Sequence, residues 1–200
     1  MADRLDIPLP VIHLARHGET EWSLDGRHTG RSDIPLTQRG EQDGQHLAER
    51  LQSLALARVW TSPRIRAHRT AILAGFPDAE VVEDLAEWDY GDVDGLTTMQ
   101  YREHNPGWTL FRDGSPGGES LAEVAARADR VIARLRSLTG DTLIFSHGHF
   151  LRVLAARWIG LETAGAAHFF LSTAAVCALG YEHYLDRPAI RLWNDTSHLR

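Results

Sequence analysis

Cysteine is nearly absent from this 200-residue sequence, which contains Cys177 alone. A single cysteine excludes an internal disulfide framework and a cysteine-rich zinc site. The sequence also lacks an apolar run long enough to span a membrane, because Arg, Asp and Glu interrupt the apolar stretches. Its first ten residues, MADRLDIPLP, lack the apolar core of a signal peptide. These absences predict a reducing, cytoplasmic setting.

Basic charge is also scarce, since the formal net charge is -6. The sequence has no basic stripe for nucleic acid and no polybasic flank for a membrane, so we expect neither as a partner. An anionic substrate would therefore need a local cluster of positive charge within a mildly repulsive background. The oligomeric state is left open, with a homodimer as one alternative.

A hydrophobic content of 43% over this length favours a single domain, residues 1–200. Short apolar runs that indicate strands alternate with amphipathic stretches that indicate helices. We therefore predict an α/β three-layer sandwich with a mostly parallel central sheet flanked by helices. The predicted strands are 11–15, 58–61, 81–82, 142–145, 174–179 and 189–193. The predicted helices begin after Thr37, at Ser62-Pro63, after Ser120 and near residue 150, whereas 21–35 and 83–96 are predicted loops.

Two histidines stand where predicted strands end, and each precedes a glycine. His17 follows the first strand, and His147 follows the strand at 142–145. Ligands of open α/β sheets bind beyond the carboxyl ends of the strands, where glycine lets the backbone turn sharply. A histidine taken at random is usually structural, but two such pairs in one chain indicate a site.

Arginine and one carboxylate complete this candidate site. Arg16 adjoins His17, and Arg66 lies in the first turns of the second helix. Guanidinium groups bind phosphate oxygens in a bidentate manner. Arg69, on the same helix, is interpreted as a solvated residue. Glu87 stands among aromatic residues, and we expect burial against them to raise its pKa for general-acid work.

The segment LARHGET at 14–20 resembles the signature of the histidine phosphatase (phosphoglycerate mutase-like) superfamily. Further blocks of the sequence resemble that family in its order: 30–37, 62–70, 87–95, 118–120 and 146–148. The resemblance extends from about residue 11 to residue 154. Five ordered blocks are far more specific than Arg-His-Gly alone.

The resemblance implies a role for each matching residue. His17 would be the nucleophile that carries the phosphoryl group, and Glu87 would be the proton donor. Arg16, Arg66 and His147 would surround the phosphoryl group. The residues that would line the phosphate pocket are Ser23, Thr29, Gly30 and Gly148. Many family members have Asn where this chain has Ser23, and the shorter side chain leaves one phosphate contact to water.

These residue types suit the chemistry that the resemblance implies. Neutral imidazole is a competent nucleophile once a partner at its other nitrogen fixes the tautomer. Positioned cations supply most of the stabilisation in phosphoryl transfer. Arg16, Arg66 and His147 can provide that positive charge, so the scheme requires no metal ion and no cofactor.

We predict a phosphatase for small phosphomonoesters such as sugar phosphates. The family's mutases resemble longer chains with an insertion and a C-terminal tail over the site. The blocks at 27–30 and 87–91 also resemble small sugar-phosphate and broad-specificity acid phosphatases more than mutases. The alternatives are a phosphoglycerate mutase, a phosphoprotein or phosphohistidine phosphatase, and a non-enzymatic phosphoester-binding protein. Aromatic residues that could line the substrate pocket are Trp22, Trp88, Tyr90, Trp108 and Phe111, with core packing favoured for Trp22.

Overall fold

The computed structural model describes residues 9–199. Residues 1–8, which form most of the N-terminal segment in which we expect no signal peptide, lie outside the described residues. Residue 200 lies outside them too, so neither end of the predicted single domain is described. No helix within residues 9–199 is both long and apolar enough to cross a membrane.

Six strands form one sheet in the order β3-β2-β4-β1-β5-β6. The strands are β1 (Ile12–Arg16), β2 (Leu56–Thr61), β3 (Glu80–Val81), β4 (Asp141–Ser146), β5 (Val176–Tyr181) and β6 (Pro188–Asp195). The first four run parallel to one another, whereas β5 is antiparallel to its neighbour β1 and β6 is antiparallel to β5. The prediction of a mostly parallel sheet is therefore confirmed.

Seven α-helices surround this sheet within residues 9–199: α1 (Glu21–Asp25), α2 (Gln38–Leu51), α3 (Ile65–Leu73), α4 (Thr98–His104), α5 (Leu110–Asp113), α6 (Leu121–Arg136) and α7 (Gly148–Trp158). Successive residues of a strand point to opposite faces of a sheet. Leu14 accordingly packs in the core beneath α6 and α7, whereas Ala15 packs in the core beneath α2 and α3. This arrangement is the predicted three-layer sandwich.

Side-chain caps explain where two long helices begin. The Thr37 hydroxyl accepts a hydrogen bond from the Gly40 amide at 3.0 Å, and Ser120 forms a capping box with Glu123. Both predicted starts are confirmed. The start predicted at Ser62-Pro63 is wrong, because Arg64 is still extended and α3 begins at Ile65.

The predicted loop at 21–35 is also wrong in its first part. Thr20 and Ser23 form a capping box that starts the five-residue helix α1, and Gly26 ends this helix with a φ of 72°. Residues 83–96 are an irregular segment as predicted, apart from the single 3-10 turns Glu83–Leu85 and Gly91–Val93.

The pairing of β1 with β4 fixes the position of both strand-end histidines. Arg16 lies opposite Ser146 in the parallel register, and the His17 amide donates to the Ser146 carbonyl at 3.0 Å. His17 and His147 therefore leave the sheet side by side, at the carboxyl ends of its two central strands.

Candidate active site

The rings of His17 and His147 are in contact, with centroids 5.2 Å apart and planes at 57°. Both residues are buried. The two strand ends therefore meet, and the catalytic role of these two histidines stays a prediction.

Hydrogen bonding fixes the tautomer of His17. Its Nδ1 lies 2.7 Å from the Gly18 carbonyl oxygen, which can only accept, so Nδ1 carries the proton. Burial lowers the pKa of His17 well below 6.5, and the nearby charges of Arg66 and Arg16 lower it further. His17 is therefore a neutral imidazole whose Nε2 lone pair is available.

Three polar atoms around His17 are buried without a hydrogen-bond partner in the described part of the chain: Arg16 Nε, Arg66 Nε and His147 Nδ1. A buried donor without a partner costs about 1–3 kcal/mol. An anion bound beside His17 would satisfy such donors and balance the arginine charges. This is the arrangement expected of a phosphate site.

The two predicted phosphate-binding arginines are held differently. Arg16 donates from NH1 to the Leu171 carbonyl at 2.6 Å. Arg66 is fully buried and donates to the carbonyls of Thr29, Gly30 and Ser32 at 2.7, 3.3 and 3.0 Å. Much of the donor capacity of Arg66 is therefore committed to the loop that follows α1.

Glu87 lies at the N-terminus of α7. Its Oε1 accepts from the amides of Trp88 and Phe150 at 2.9 and 2.8 Å, and its Oε2 accepts from the His149 amide at 3.1 Å. The Trp88 ring packs in the core and donates to the Glu119 carbonyl, whereas Tyr90, the other aromatic residue in the predicted setting, lies close enough to Glu87 for that carboxyl to raise the pKa of Tyr90. Oε1 accepts two backbone hydrogen bonds and Oε2 accepts one, so Oε2 is the oxygen that is better able to hold a proton.

A cavity of about 240 Å³ opens above His17. It is lined by six of the predicted site residues: Arg16, His17, Ser23, Thr29, Glu87 and Gly148. A Cβ atom at position 148 would lie only 3.2 Å from the guanidinium carbon of Arg16. Because Gly148 has no Cβ, the start of α7 can approach that cation closely.

Three predicted site residues lie behind the cavity rather than in its lining. His147 packs beneath His17, and its Nε2 lies 2.7 Å from the Ser62 hydroxyl. Arg66 lies beneath the loop, and Gly30 donates its amide to Asp94 at 2.7 Å. The expected phosphate contact of Gly30 is thus replaced by a contact that holds the loop.

The hydroxyl of Ser23 is also committed locally. It accepts from the Thr20 amide at 2.9 Å and lies 2.8 Å from the Thr20 carbonyl, within the α1 cap. Thr29 Oγ1 lies 3.2 Å from the Arg27 carbonyl. Both residues line the cavity while stabilising its rim.

Sequence analysis missed several lining residues: Arg27, His28, Thr98, His149 and Arg152. His28 Nε2 lies 3.1 Å from Thr98 Oγ1, and His149 Nδ1 is hydrogen-bonded to the Tyr90 hydroxyl. Burial lowers the pKa of His28 to about 4 and that of His149 well below 6.5, while burial and the nearby Glu87 raise that of Tyr90. These groups are neutral donors and acceptors.

The predicted aromatic lining is mostly wrong. Of the five aromatic residues named, only Tyr90 lines the cavity. Trp108 packs against His28 from outside the lining, and Phe111 packs against His149. Trp22, for which core packing is favoured, is partly buried and packs beside Gly95.

No group of three or more His, Cys, Asp or Glu side chains in the described chain is arranged to hold a metal ion. The positive charge at the cavity comes from arginine.

Comparison with known families gives one match over nearly the whole chain. The family described as "Histidine phosphatase superfamily (branch 1)" matches residues 12–196.

Three curated relatives match most of the chain. An acid phosphatase of Mycobacterium tuberculosis is 43% identical over 181 residues, which cover 88% of this chain and 89% of the relative. A sedoheptulose 1,7-bisphosphatase of Saccharomyces cerevisiae is 35% identical, with 92% of this chain and 84% of the relative covered. A probable phosphoglycerate mutase GpmB of Salmonella choleraesuis is 31% identical, with 94% of each covered.

A solved structure supports the fold. The protein of open reading frame Rv3214 from Mycobacterium tuberculosis superposes with a TM-score of 0.88 at 41% identity, covering 92% of this chain and 97% of its own.

The buried neutral histidines predict acid sensitivity of folding. Because the folded-state pKa of His28 is about 4 and its ordinary value is 6.5, the unfolded chain binds a proton between these pH values that the folded chain does not. The free energy of unfolding should therefore fall as pH drops from 6.5 towards 4, by up to about 1.4 kcal/mol per pH unit from this group. His17, His147 and His149 act in the same direction.

Urea unfolding at a series of pH values tests this, with His28→Gln beside the exposed-histidine control His104→Gln. His28→Gln should lower the slope of the free energy of unfolding against pH by the contribution of about one bound proton. An unchanged slope in His28→Gln would show that His28 is not held neutral.

Proposed function

The chain belongs to the histidine phosphatase superfamily and is a phosphomonoester hydrolase, and from this premise we propose that His17 carries the phosphoryl group and that the substrates are small phosphorylated polyols. The observation that carries the proposal is the geometry of His17. Its Nδ1 donates to the Gly18 carbonyl at 2.7 Å, and burial with two nearby arginines lowers its pKa. Nε2 is then an unprotonated nucleophile at neutral pH.

Arg16, Arg66 and His147 bind the transferred phosphoryl group in this scheme. Arg16 lines the cavity and Arg66 and His147 lie behind it, and each has a buried polar atom without a partner in the described chain, which a phosphoryl oxygen that reaches it would satisfy. The carbonyls that hold Arg66 keep its guanidinium oriented before substrate binds. The scheme routes no step through a metal ion.

Glu87 serves as general acid and then as general base. The leaving alkoxide takes a proton from Oε2, the carboxyl oxygen with a single backbone donor. In the second step the same oxygen removes a proton from the water that attacks the phosphohistidine, which releases inorganic phosphate and restores His17. The backbone donors at the α7 N-terminus hold the carboxyl in place between the steps.

Neutral hydrogen-bonding groups next to the phosphate site support a polyol leaving group. His28, Thr98, Tyr90 and His149 line the cavity and can exchange hydrogen bonds with hydroxyls without adding charge. The cavity, at about 240 Å³, is smaller than most ligand pockets, which span about 300–1,000 Å³, and suits a small ester. The name of the yeast relative, sedoheptulose 1,7-bisphosphatase, describes a substrate of this class.

The mutase alternative requires that the phosphoenzyme be protected from water. Within residues 9–199 the segment after β6 forms the turn Ser197–Leu199, which does not line the cavity, and Thr98 is the one residue of α4 or α5 in its lining. The small number of covering residues favours hydrolysis of the phosphohistidine over transfer. A cytoplasmic location and a homodimer stay predictions, which cell fractionation and light scattering, respectively, would test.

Replacement of the proposed nucleophile should abolish turnover. We expect His17→Ala to lower phosphate release by at least about 10⁴-fold, because no other side chain takes over the covalent step. The assay uses p-nitrophenyl phosphate and a sugar phosphate, each in EDTA and in magnesium. The exposed-residue control His46→Ala should match the wild type. Turnover by His17→Ala near the wild-type rate, or activity lost in EDTA and restored by magnesium, would contradict this mechanism.

Replacement of the proposed acid should depend on the leaving group. In single-turnover phosphorylation, Glu87→Gln should lose about 10²- to 10⁴-fold on an alkyl phosphate, the usual contribution of general acid catalysis. The loss on p-nitrophenyl phosphate should be much smaller, because nitrophenolate departs without a proton. Exposed Glu49→Gln is the matched control. Equal losses on both substrates would mean that Glu87 positions the site and donates no proton.

A further inference from the structure

The Arg16 guanidinium is held by a loop that precedes β5. NH1 of Arg16 donates to the Leu171 carbonyl at 2.6 Å, whereas its Nε has no partner among residues 9–199. Leu171 belongs to the loop 169–175, which connects the 3-10 helix Thr163–His168 to β5. Because the guanidinium is planar and rigid, the contact at NH1 also sets the direction in which Nε points.

The same loop is joined to the backbone of Arg16 and His17. The Arg16 amide donates to the Ala175 carbonyl at 3.1 Å, and the Ala174 amide donates to the His17 carbonyl at 3.0 Å. Ala174 has a φ of 52°, a left-handed conformation that is unfavourable for a residue with a Cβ. The surrounding contacts therefore hold the loop 169–175 in a specific conformation against the end of β1.

Three side chains from the C-terminal part of the chain bind the backbone of this loop. Two of them lie near the end of β6, and the third lies in the turn Ser197–Leu199. Their contacts are Trp193 Nε1 to the Phe170 carbonyl at 2.7 Å, Asn194 Oδ1 to the Ser172 amide at 2.7 Å, and His198 Nε2 to the Ala174 carbonyl at 3.0 Å. Every second residue from 170 to 174 is thus bound by a side chain.

Asn194 binds the peptide unit whose carbonyl binds Arg16. The Leu171 carbonyl and the Ser172 amide belong to one planar, trans peptide unit, in which C=O and N–H point in opposite directions. Asn194 Oδ1 therefore binds one side of this unit while Arg16 binds the other side. Hydrogen bonds on both sides of one peptide unit also polarise each other, which strengthens both.

The backbone of Asn194 explains why asparagine suits this position. Its φ of 56° lies in the left-handed region, which Gly, Asn and Asp adopt more readily than other residues. Its amide donates to Cys177 Sγ on β5 at 3.3 Å. Asparagine thus meets two requirements together, a left-handed backbone and a side-chain acceptor that reaches the Ser172 amide.

We propose that Asn194 is a positioning residue for phosphate binding, which orients the Arg16 guanidinium through the peptide unit that precedes Ser172. Trp193 and His198 support this role by fixing the loop on either side of that unit. Asn194 does not line the cavity, so it acts through Arg16 and not on the substrate. This proposal rests on the proposed function, because it takes Arg16 as a ligand of the transferred phosphoryl group.

Two substitutions in the full-length protein separate the hydrogen bond from the backbone conformation. Asn194→Gly permits the left-handed backbone and removes the acceptor, whereas Asn194→Asp retains both. We expect Asn194→Gly to weaken vanadate binding and to lower the single-turnover phosphorylation rate with p-nitrophenyl phosphate by about 10- to 100-fold, as a misplaced catalytic group can. Asn194→Asp should stay close to the wild type, because its carboxylate accepts the same hydrogen bond. The exposed-residue control Asn105→Gly should match the wild type.

A double-mutant cycle tests whether Asn194 acts through Arg16. Arg16→Met removes the guanidinium, so the Leu171 carbonyl has no cation left to orient. In that background Asn194→Gly should change the single-turnover rate by less than about twofold, because residues that act through one another are not additive. Enzyme in excess over substrate keeps slow rates measurable. A merely structural role of Asn194 predicts the same loss in both backgrounds.

Trp193→Phe provides a second perturbation of the loop, since it keeps an aromatic ring and removes the donor to the Phe170 carbonyl. It should cause a smaller loss than Asn194→Gly, and that loss should also disappear in Arg16→Met. If Asn194→Gly does not fold, this variant decides the outcome, and a wild-type rate in Trp193→Phe would then overturn the proposal.

Three results with folded Asn194→Gly would overturn the positioning role: a wild-type rate, an equal loss in Asn194→Asp, or the same loss with and without the Arg16 guanidinium. Each of them would leave the phosphatase mechanism intact. A wild-type rate in Arg16→Met would instead contradict the proposed function, and the positioning role with it.

Discussion

The parallel pairing of β1 with β4 is the constraint on which the site depends. It places Arg16 opposite Ser146 and makes the Ser146 carbonyl accept from the His17 amide. Two separate strand-to-loop turns thereby bring His17 and His147 into ring contact. The Ser146 hydroxyl also donates to the Leu85 carbonyl at 2.7 Å, which fixes the segment leading to Glu87 against the same strand end. The proposed nucleophile, the cation beside it and the proposed acid are thus all held in place by contacts at the end of β4.

A second set of contacts connects the cavity rim to this centre. The Asp94 carboxylate accepts from the Gly30 amide at 2.7 Å and from the Ser32 hydroxyl at 2.6 Å, which shapes the loop after α1. The loop carbonyls then hold Arg66. Because carbonyls and not an ion pair hold this buried arginine, its positive field acts on His17, whose pKa it lowers, and in the proposed scheme on the phosphoryl group. The residues of the cavity rim and the proposed catalytic residues are therefore parts of one hydrogen-bonded structure.

Sequence patterns predicted the features that depend on local order. His17 and His147 were identified because a strand end beside glycine is visible in a short window, and the helix starts at Thr37 and Ser120 follow from capping chemistry. Helix α1 was missed because its cap pairs Thr20 with Ser23, where Glu or Gln is usual, within a segment of loop-like composition. His28 and Arg152 were missed because they line one cavity only when the loop after α1 packs against α7. No periodicity in the sequence encodes that meeting.

The central claim is that Nε2 of His17 attacks phosphorus while Nδ1 donates to the Gly18 carbonyl. The most direct test is phosphorus–nitrogen NMR on the intermediate, trapped by rapid quenching into base from protein labelled with ¹⁵N-histidine. The account predicts one phosphoryl group, bonded to Nε2 of His17 and stable in base. Phosphorus on Nδ1 of His17, on His147 or on an oxygen atom would contradict it.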